Sequence, residues 1–286
     1  MTLKLYLGAH KTATTHIQGI LMVNRDILLN NNIKLSSPQD IRNEWLQYFF
    51  KYCKNPKIDL LQKVQFIRPP QGTWVLTDEN IIGVSNDLTV SSGIYPNAGK
   101  RLYCMQEAFR DVDIELFFSI RSYETFYRSA YSEIVRNRGY ISFEEFYDED
   151  RFRNNSWIET IKMFVEVVPE DKITLWCFED FKSLMPTIIS KVTGLSNSEE
   201  LIQAYTSSVT RPSLSQKTID ILDMLDDVIS REESQSLVER INKKYSIGNG
   251  YENLVTFNKE EIHLFQKKYQ EDIQAIKEKF PNINFL

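Results

Sequence analysis

Just after its first apolar run the chain reads GAHKTATTH, residues 8 to 16. This stretch gathers Lys11, the hydroxyls of Thr12, Thr14 and Thr15, and two of the three histidines, His10 and His16. An ammonium with hydroxyl donors around it is chemistry for an oxyanion. Gly8 permits a tight turn. A loop joining a parallel strand to a helix adds unpaired backbone N–H groups and the positive end of the helix dipole, where phosphate and sulfate bind readily. The order G-x-x-K-T-x-T-T is not the ATP-type loop, in which Lys follows the second Gly of GxxxxGK[ST]; here His10 precedes Lys11. The plainer alternative is a Thr-rich helix start, with Thr14 as its cap and Lys11 in solvent.

A second candidate is SIRSYETFYRSAY, residues 119 to 131. Arg121 stands at the end of an apolar run, and Ser129 follows within a helical pattern. An Arg fork suits a terminal phosphate bidentately, and Ser adds a neutral donor. Eight helical steps would part the two residues by about 12 Å along the axis. That spacing requires the helix to begin later and Arg121 to reach across. Arg128 competes for the Arg role, and an exposed amphipathic helix with ordinary arginines is the alternative. A third stretch, VLTDEN, offers Asp78 and Glu79 as general bases at a strand end, or as plain capping residues. His10 is a rival base because imidazole titrates near neutrality.

The elements that must position these groups follow from hydrophobic periodicity. Strands are predicted at Thr2–Leu7, Ile33–Leu35, Thr73–Asn80, Asp113–Ser122 and Lys172–Asp180. The fourth is nearly continuous in apolar residues, as a buried parallel strand should be. Helices are predicted from about Thr14, over Ile41–Cys53, along Leu102, Met105, Phe109 and Val112, over Tyr123–Arg138, and along Trp157, Ile161, Phe164 and Val168. Stripes at Ile219, Leu222 and Leu225 and at Ile262, Phe265, Tyr269 and Ile276 make the rest all-helical. Strands alternating with helices imply an α/β three-layer sandwich with a central parallel β-sheet. We expect one domain over 1–286, with a helical portion from about 197 onward; the alternative is a small cap domain.

Composition agrees with a globular enzyme: 42% of residues are apolar and 12% aromatic, enough for a sizeable core. A net charge of −5 argues against a general nucleic-acid binder. No apolar run reaches the roughly 18 residues of a membrane span, and the immediate start of a strand leaves no room for a signal peptide. Cys53, Cys104 and Cys177 are odd in number and widely spaced. They read as buried thiols in a reducing compartment, hence a cytoplasmic protein. No His, Cys and Asp cluster suggests a metal site.

GAHKTATT resembles the 5′-phosphosulfate loop of sulfotransferases that use 3′-phosphoadenosine 5′-phosphosulfate (PAPS), whose core reads K-[ST]-G-T-T. Lys11, Thr12, Thr14 and Thr15 match it position for position, and Ala13 replaces the usual Gly. A methyl group there calls for a negative φ. His16 stands where cytosolic members carry an adenine-stacking Trp, so either its imidazole stacks or the adenine is held elsewhere. Arg121 and Ser129 resemble the family's 3′-phosphate motif. Weaker echoes are KITLWCFEDF, whose Glu179 and Asp180 read as structural, and RPSLSQKTIDIL, which contains Arg211.

The resemblance implies the P-loop-NTPase-like sulfotransferase fold and a binding set of Gly8, Lys11, Thr12, Ala13, Thr14, Thr15, His16, Arg121 and Ser129. It implies sulfuryl transfer from PAPS to a hydroxyl or amine, leaving 3′-phosphoadenosine 5′-phosphate (PAP), with no metal. Lys11 would stabilise the leaving oxygen, and Glu79 is the chosen base over Asp78 and His10. The acceptor is expected to be a small molecule or carbohydrate, by resemblance a sugar or glycolipid. The rivals are a P-loop small-molecule kinase with Asp78 as its magnesium ligand, and a non-catalytic relative that kept the nucleotide pocket.

Overall fold

Residues 1–84, 93–206 and 213–286 are described in a computed structural model of the chain, apart from the side chains of residues 150, 151 and 153. Arg211 lies outside the described residues. Six strands form a parallel sheet in the order β2-β3-β1-β4-β5-β6. They are β1 (Thr2–Tyr6), β2 (Ile33–Ser36), β3 (Thr73–Thr77), β4 (Asp113–Ile120), β5 (Ile173–Cys177) and β6 (Asn284–Phe285). The strand carrying the Lys11 loop is therefore central. It pairs with β3 on one side (Tyr6 opposite Thr77) and with β4 on the other (Tyr6 opposite Phe117).

Alternation along β1 explains why the sheet is covered twice. Leu3, Leu5 and Leu7 enter a core with Trp74, Phe118 and the helices Trp45–Lys54, Ala98–Ala108, Tyr123–Arg138, Trp157–Val165 and Lys259–Lys279. Tyr6 enters the opposite core with Phe117, Trp176, helix α1 (Thr14–Val23) and helix Phe181–Thr193. The fold is thus the expected parallel three-layer sandwich. Phe265, Tyr269 and Ile276 of the last long helix join the first of these cores. Among the described residues no helix is long and apolar enough to cross a membrane.

Several expected boundaries shift. The end of the chain is not all-helical: Asn284 and Phe285 return to the sheet beside Thr174 and Leu175, a strand too short for any periodicity to reveal. The aromatic helix expected over Ile41–Cys53 is two pieces, Pro38–Ile41 and Trp45–Lys54. The helix expected to reach Val112 ends at Ala108, where Phe109 turns its N–H back onto Met105 and Gln106. Helix Tyr123–Arg138, by contrast, keeps its expected bounds and starts two residues after Arg121, which leaves Arg121 outside the helix, as the spacing argument required.

The layer around α1 contains two misfits. Tyr6 Oη and Trp176 Nε1 are buried with no hydrogen-bond partner among the described residues, although their rings stack at 6.0 Å. Burial pushes the Tyr6 phenol well above its ordinary pKa, with the Glu79 charge adding to the effect. A buried hydroxyl without a partner costs about 1–3 kcal/mol. Tyr6→Phe is therefore expected to stabilise the fold by about 1 kcal/mol, raising the melting temperature by ~2–4 °C. A drop in melting temperature would show that the hydroxyl is satisfied after all.

Candidate active site at the tips of the central strands

The loop after β1 leaves the sheet over β4. Leu7 N–H donates to Phe117 O at 3.1 Å and Ala9 N–H to Ser119 O at 3.3 Å. Three of its residues are left-handed: Gly8 at φ 55°, Lys11 at 65° and Ala13 at 60°. Gly8 has a packing reason as well, because a Cβ there would sit 2.3 Å from Thr14 Cγ2. Ala13 overturns the expectation of a negative φ: it adopts a left-handed conformation that Gly reaches without strain. The cost is about 1–2 kcal/mol for an L residue. Ala13 is also the N-cap of α1, with no side-chain cap. Thr14 is the first helical residue and not the cap.

The N–H groups of Lys11, Thr12, Ala13, Thr14 and Thr15 donate to nothing among the described residues. Yet Thr12 is 0% exposed and Thr14 only 4%. Buried N–H groups are almost always paired, so a run of open ones at a helix N-terminus is an anion cradle. The Thr12 hydroxyl is no part of it, contrary to the sequence reading. It donates to Ala9 O at 2.6 Å and accepts from Ser119 Oγ at 2.6 Å, locking the loop to β4. Thr15 is exposed.

Lys11 is not simply solvated. Its Nζ lies 3.2 Å from Glu133 Oε2, on the helix that carries Ser129. Burial opposes ionisation of Glu133, but the Lys11 charge and the Asn137 amide outweigh it and hold the carboxyl below its usual range.

Arg121 comes directly off the tip of β4. Its Nη1 donates to the Lys11 carbonyl, its Nε donates to Thr125 Oγ1 at 2.9 Å, and the guanidinium lies 4.5 Å from the Phe178 ring centre. The two loops therefore touch. No carboxylate among the described residues pairs with Arg121. The nearby Glu179 instead accepts from Ser122 N–H and Tyr269 Oη. Burial pulls the guanidinium down to about 10, only partly offset by Glu179, and the neighbouring Arg128 lowers it further. Arg128 has no ion-pair partner either, among the described residues. Thr125, Arg128 and Ser129 share one face of the helix that follows, and Arg121 reaches the first of them. With the helix starting at Tyr123, Ser129 sits about 9 Å up the axis from its first residue.

The β3 tip closes the other side. Asp78 is fully buried, and its two oxygens accept from Arg42 Nε and Nη2 at 2.8 Å each. That clamp pairs Asp78 with a guanidinium and commits it to the scaffold of the β3 tip. Glu79 Oε1 accepts from Arg42 at 3.1 Å and Oε2 from Gln18 of α1 at 3.2 Å, so each oxygen keeps further lone-pair capacity. His10 is committed on both nitrogens: Nδ1 lies 2.9 Å from Tyr95 Oη and Nε2 3.2 Å from Asn80 Oδ1. The Tyr95 hydroxyl also accepts the His10 backbone N–H at 2.8 Å; the tautomer with its proton on Nε2 facing Asn80 Oδ1 lets that hydroxyl donate to Nδ1. Burial lowers the His10 pKa, with Glu79 and Asn80 opposing. Hydrogen bonds on both ring nitrogens tie the imidazole to Tyr95 and Asn80.

His16 lies beside an aromatic group on α1's outer flank, edge-on to Tyr205 at 5.2 Å and to Phe181 at 6.0 Å. Sequence reasoning missed Gln18, Arg42, Tyr95, Thr125 and Glu133, all partners brought in by the fold. The only available signal was the helical spacing of Thr125 from Arg121. Among the described residues no group of three metal-ligating side chains occurs.

No protein-family model and no curated protein matches the chain. Several solved structures do. One is a sulfotransferase from Alicyclobacillus acidocaldarius, 13% identical, covering 84% of this chain and 96% of that one, with a TM-score of 0.42. Another is the sulfotransferase domain of the curacin biosynthetic pathway, 13% identical over 88% and 99% of the two chains, TM-score 0.36. A third is retinol dehydratase in complex with androsterone and the inactive cofactor PAP, 12% identical over 99% and 81%, TM-score 0.34. The chain is thus similar, at low identity, to solved sulfotransferases.

Proposed function

We propose that the protein is a sulfotransferase moving a sulfuryl group from PAPS to a hydroxyl or amine acceptor, with a carbohydrate or glycolipid as the acceptor class the sequence resemblance favours. One observation carries the reading. Open N–H groups from Lys11 to Thr15 and a carboxylate-free Arg121 stand side by side at the tips of β1 and β4. Two separated oxyanions of one nucleotide fit that arrangement, since the connections of an open parallel sheet diverge between such strands.

The nucleotide supplies the activated sulfuryl group. The loop N–H groups, Thr14 and Thr15 hold its 5′ end, and Lys11 puts positive charge where the bridging oxygen leaves. Arg121, with Arg128 and Ser129, takes the 3′ phosphate. The Arg42 clamp on Asp78 and the Gln18 contact hold Glu79 at the third tip, where it takes the acceptor proton. His10 is a positioning group that fixes Asn80 and Tyr95. His16, with Phe181 and Tyr205, offers an aromatic edge for adenine.

The test is PAP release from PAPS over a glycan and small-alcohol panel. Glu79→Gln is expected to lower kcat by about 10²–10⁴-fold while PAP affinity stays within ~3-fold, a change of under ~0.7 kcal/mol. Absence of PAP binding in calorimetry, or magnesium-dependent ATP turnover instead, would overturn the proposal.

A further inference from the structure

The ion pair between Lys11 and Glu133 places a negative charge against a site built for anions. Both side chains are partly exposed, 26% and 22%, and Glu133 has no other cation within pairing distance among the described residues. Its remaining oxygen accepts from Asn137 at 3.0 Å, one helical turn further from the loop. Nothing in the fold needs this pair: Lys11 is otherwise held by its left-handed backbone and by Arg121 on its carbonyl. Any oxyanion seated on the loop must take the Lys11 ammonium away from Glu133 and lie close to that carboxylate.

We infer that Glu133 is a built-in competitor for Lys11, which weakens the hold on the 5′ group of a bound nucleotide and so promotes release of the spent product. The inference rests on the proposed PAPS reading. Glu133 is a positioning residue: it acts through Lys11 and touches no reacting atom. The physical asymmetry is local. Arg121 and Arg128 have no carboxylate within ion-pair distance among the described residues, whereas Lys11 has one.

The experiment measures binding of PAP, adenosine 5′-phosphate and adenosine 3′-phosphate to the wild type, Glu133→Gln, Glu133→Asp and Lys11→Ala. Gln is isosteric and the position is partly solvent-facing, so the fold is retained; a melting curve checks this. Glu133→Gln is expected to tighten PAP and adenosine 5′-phosphate by about tenfold, the effect of one screened charge contact of roughly 1.4 kcal/mol. It leaves adenosine 3′-phosphate within about twofold, a change of under ~0.4 kcal/mol. Glu133→Asp keeps the charge and stays near the wild type. The inference fails if Glu133→Gln leaves PAP affinity unchanged or weaker, if all three ligands tighten alike, or if Asp behaves as Gln. If the wild type binds no PAP, or Lys11→Ala binds it as well as the wild type, the PAPS reading itself fails and takes this one with it.

Discussion

Replacing Arg121 by alanine is expected to weaken PAP binding by about 30- to 1000-fold, or ~2–4 kcal/mol. The reason lies in what surrounds the guanidinium in the free protein. Its hydrogen-bond partners are neutral oxygens and it lies over an aromatic face, so its charge is desolvated and only partly compensated by the nearby Glu179. A structural arginine would have recruited a carboxylate into an ion pair, as Arg42 recruits Asp78 and Arg68 recruits Asp111. Such a group gains most when an anion arrives, and an Arg fork meets a terminal phosphate with two charge-assisted bonds. The same substitution should leave the melting temperature nearly unchanged, because the lost bonds are offset by the lost desolvation. Titration calorimetry with PAP and a melting curve decide the matter. A large fall in stability with unchanged PAP affinity would make Arg121 a scaffold residue.

The second large effect is on rate. Lys11→Ala is expected to reduce the turnover of PAPS by about 10²–10³-fold, the usual loss when one preorganised donor to a developing negative charge is removed. PAP binding should fall much less, since the N–H groups of the loop remain. Lys11→Arg is not expected to rescue fully, because a planar fork cannot replace a compact ammonium in a loop this tight. The measurement is the initial rate of PAP formation with a saturating acceptor. An alanine variant turning over near the wild-type rate would remove Lys11 from the chemistry.

How much of this could be read from the residues differs between fold and site. β1, β3, β4 and β5 were legible because each is a short apolar run followed by a helical period, a pattern set by local physics. β6 was not, since a two-residue strand exists only because β5 offers an open edge. The pairing of the Lys11 and Arg121 loops was anticipated from their positions after strands; their contact is a product of the strand order β3-β1-β4. The partners were invisible. Glu133 is 122 residues from Lys11 and Asp78 is 36 from Arg42, and no periodicity links such pairs. Thr12 was misjudged for a related reason. Its hydroxyl finds Ser119 across the sheet, and a motif match cannot say which way a side chain turns. Ala13 was misjudged as well: its methyl group argued for a negative φ, and the loop holds it left-handed all the same.

The central place of β1 bears on how the chain acquires its structure. This strand is synthesised before both of its neighbours, whose paired residues begin at Thr73 and Asp113. One of its edges must therefore wait for β3, and the other for β4, more than a hundred residues further along the chain. Long-range pairings of this kind make assembly slow and leave an aggregation-prone segment waiting. Refolding yield should accordingly fall as protein concentration rises.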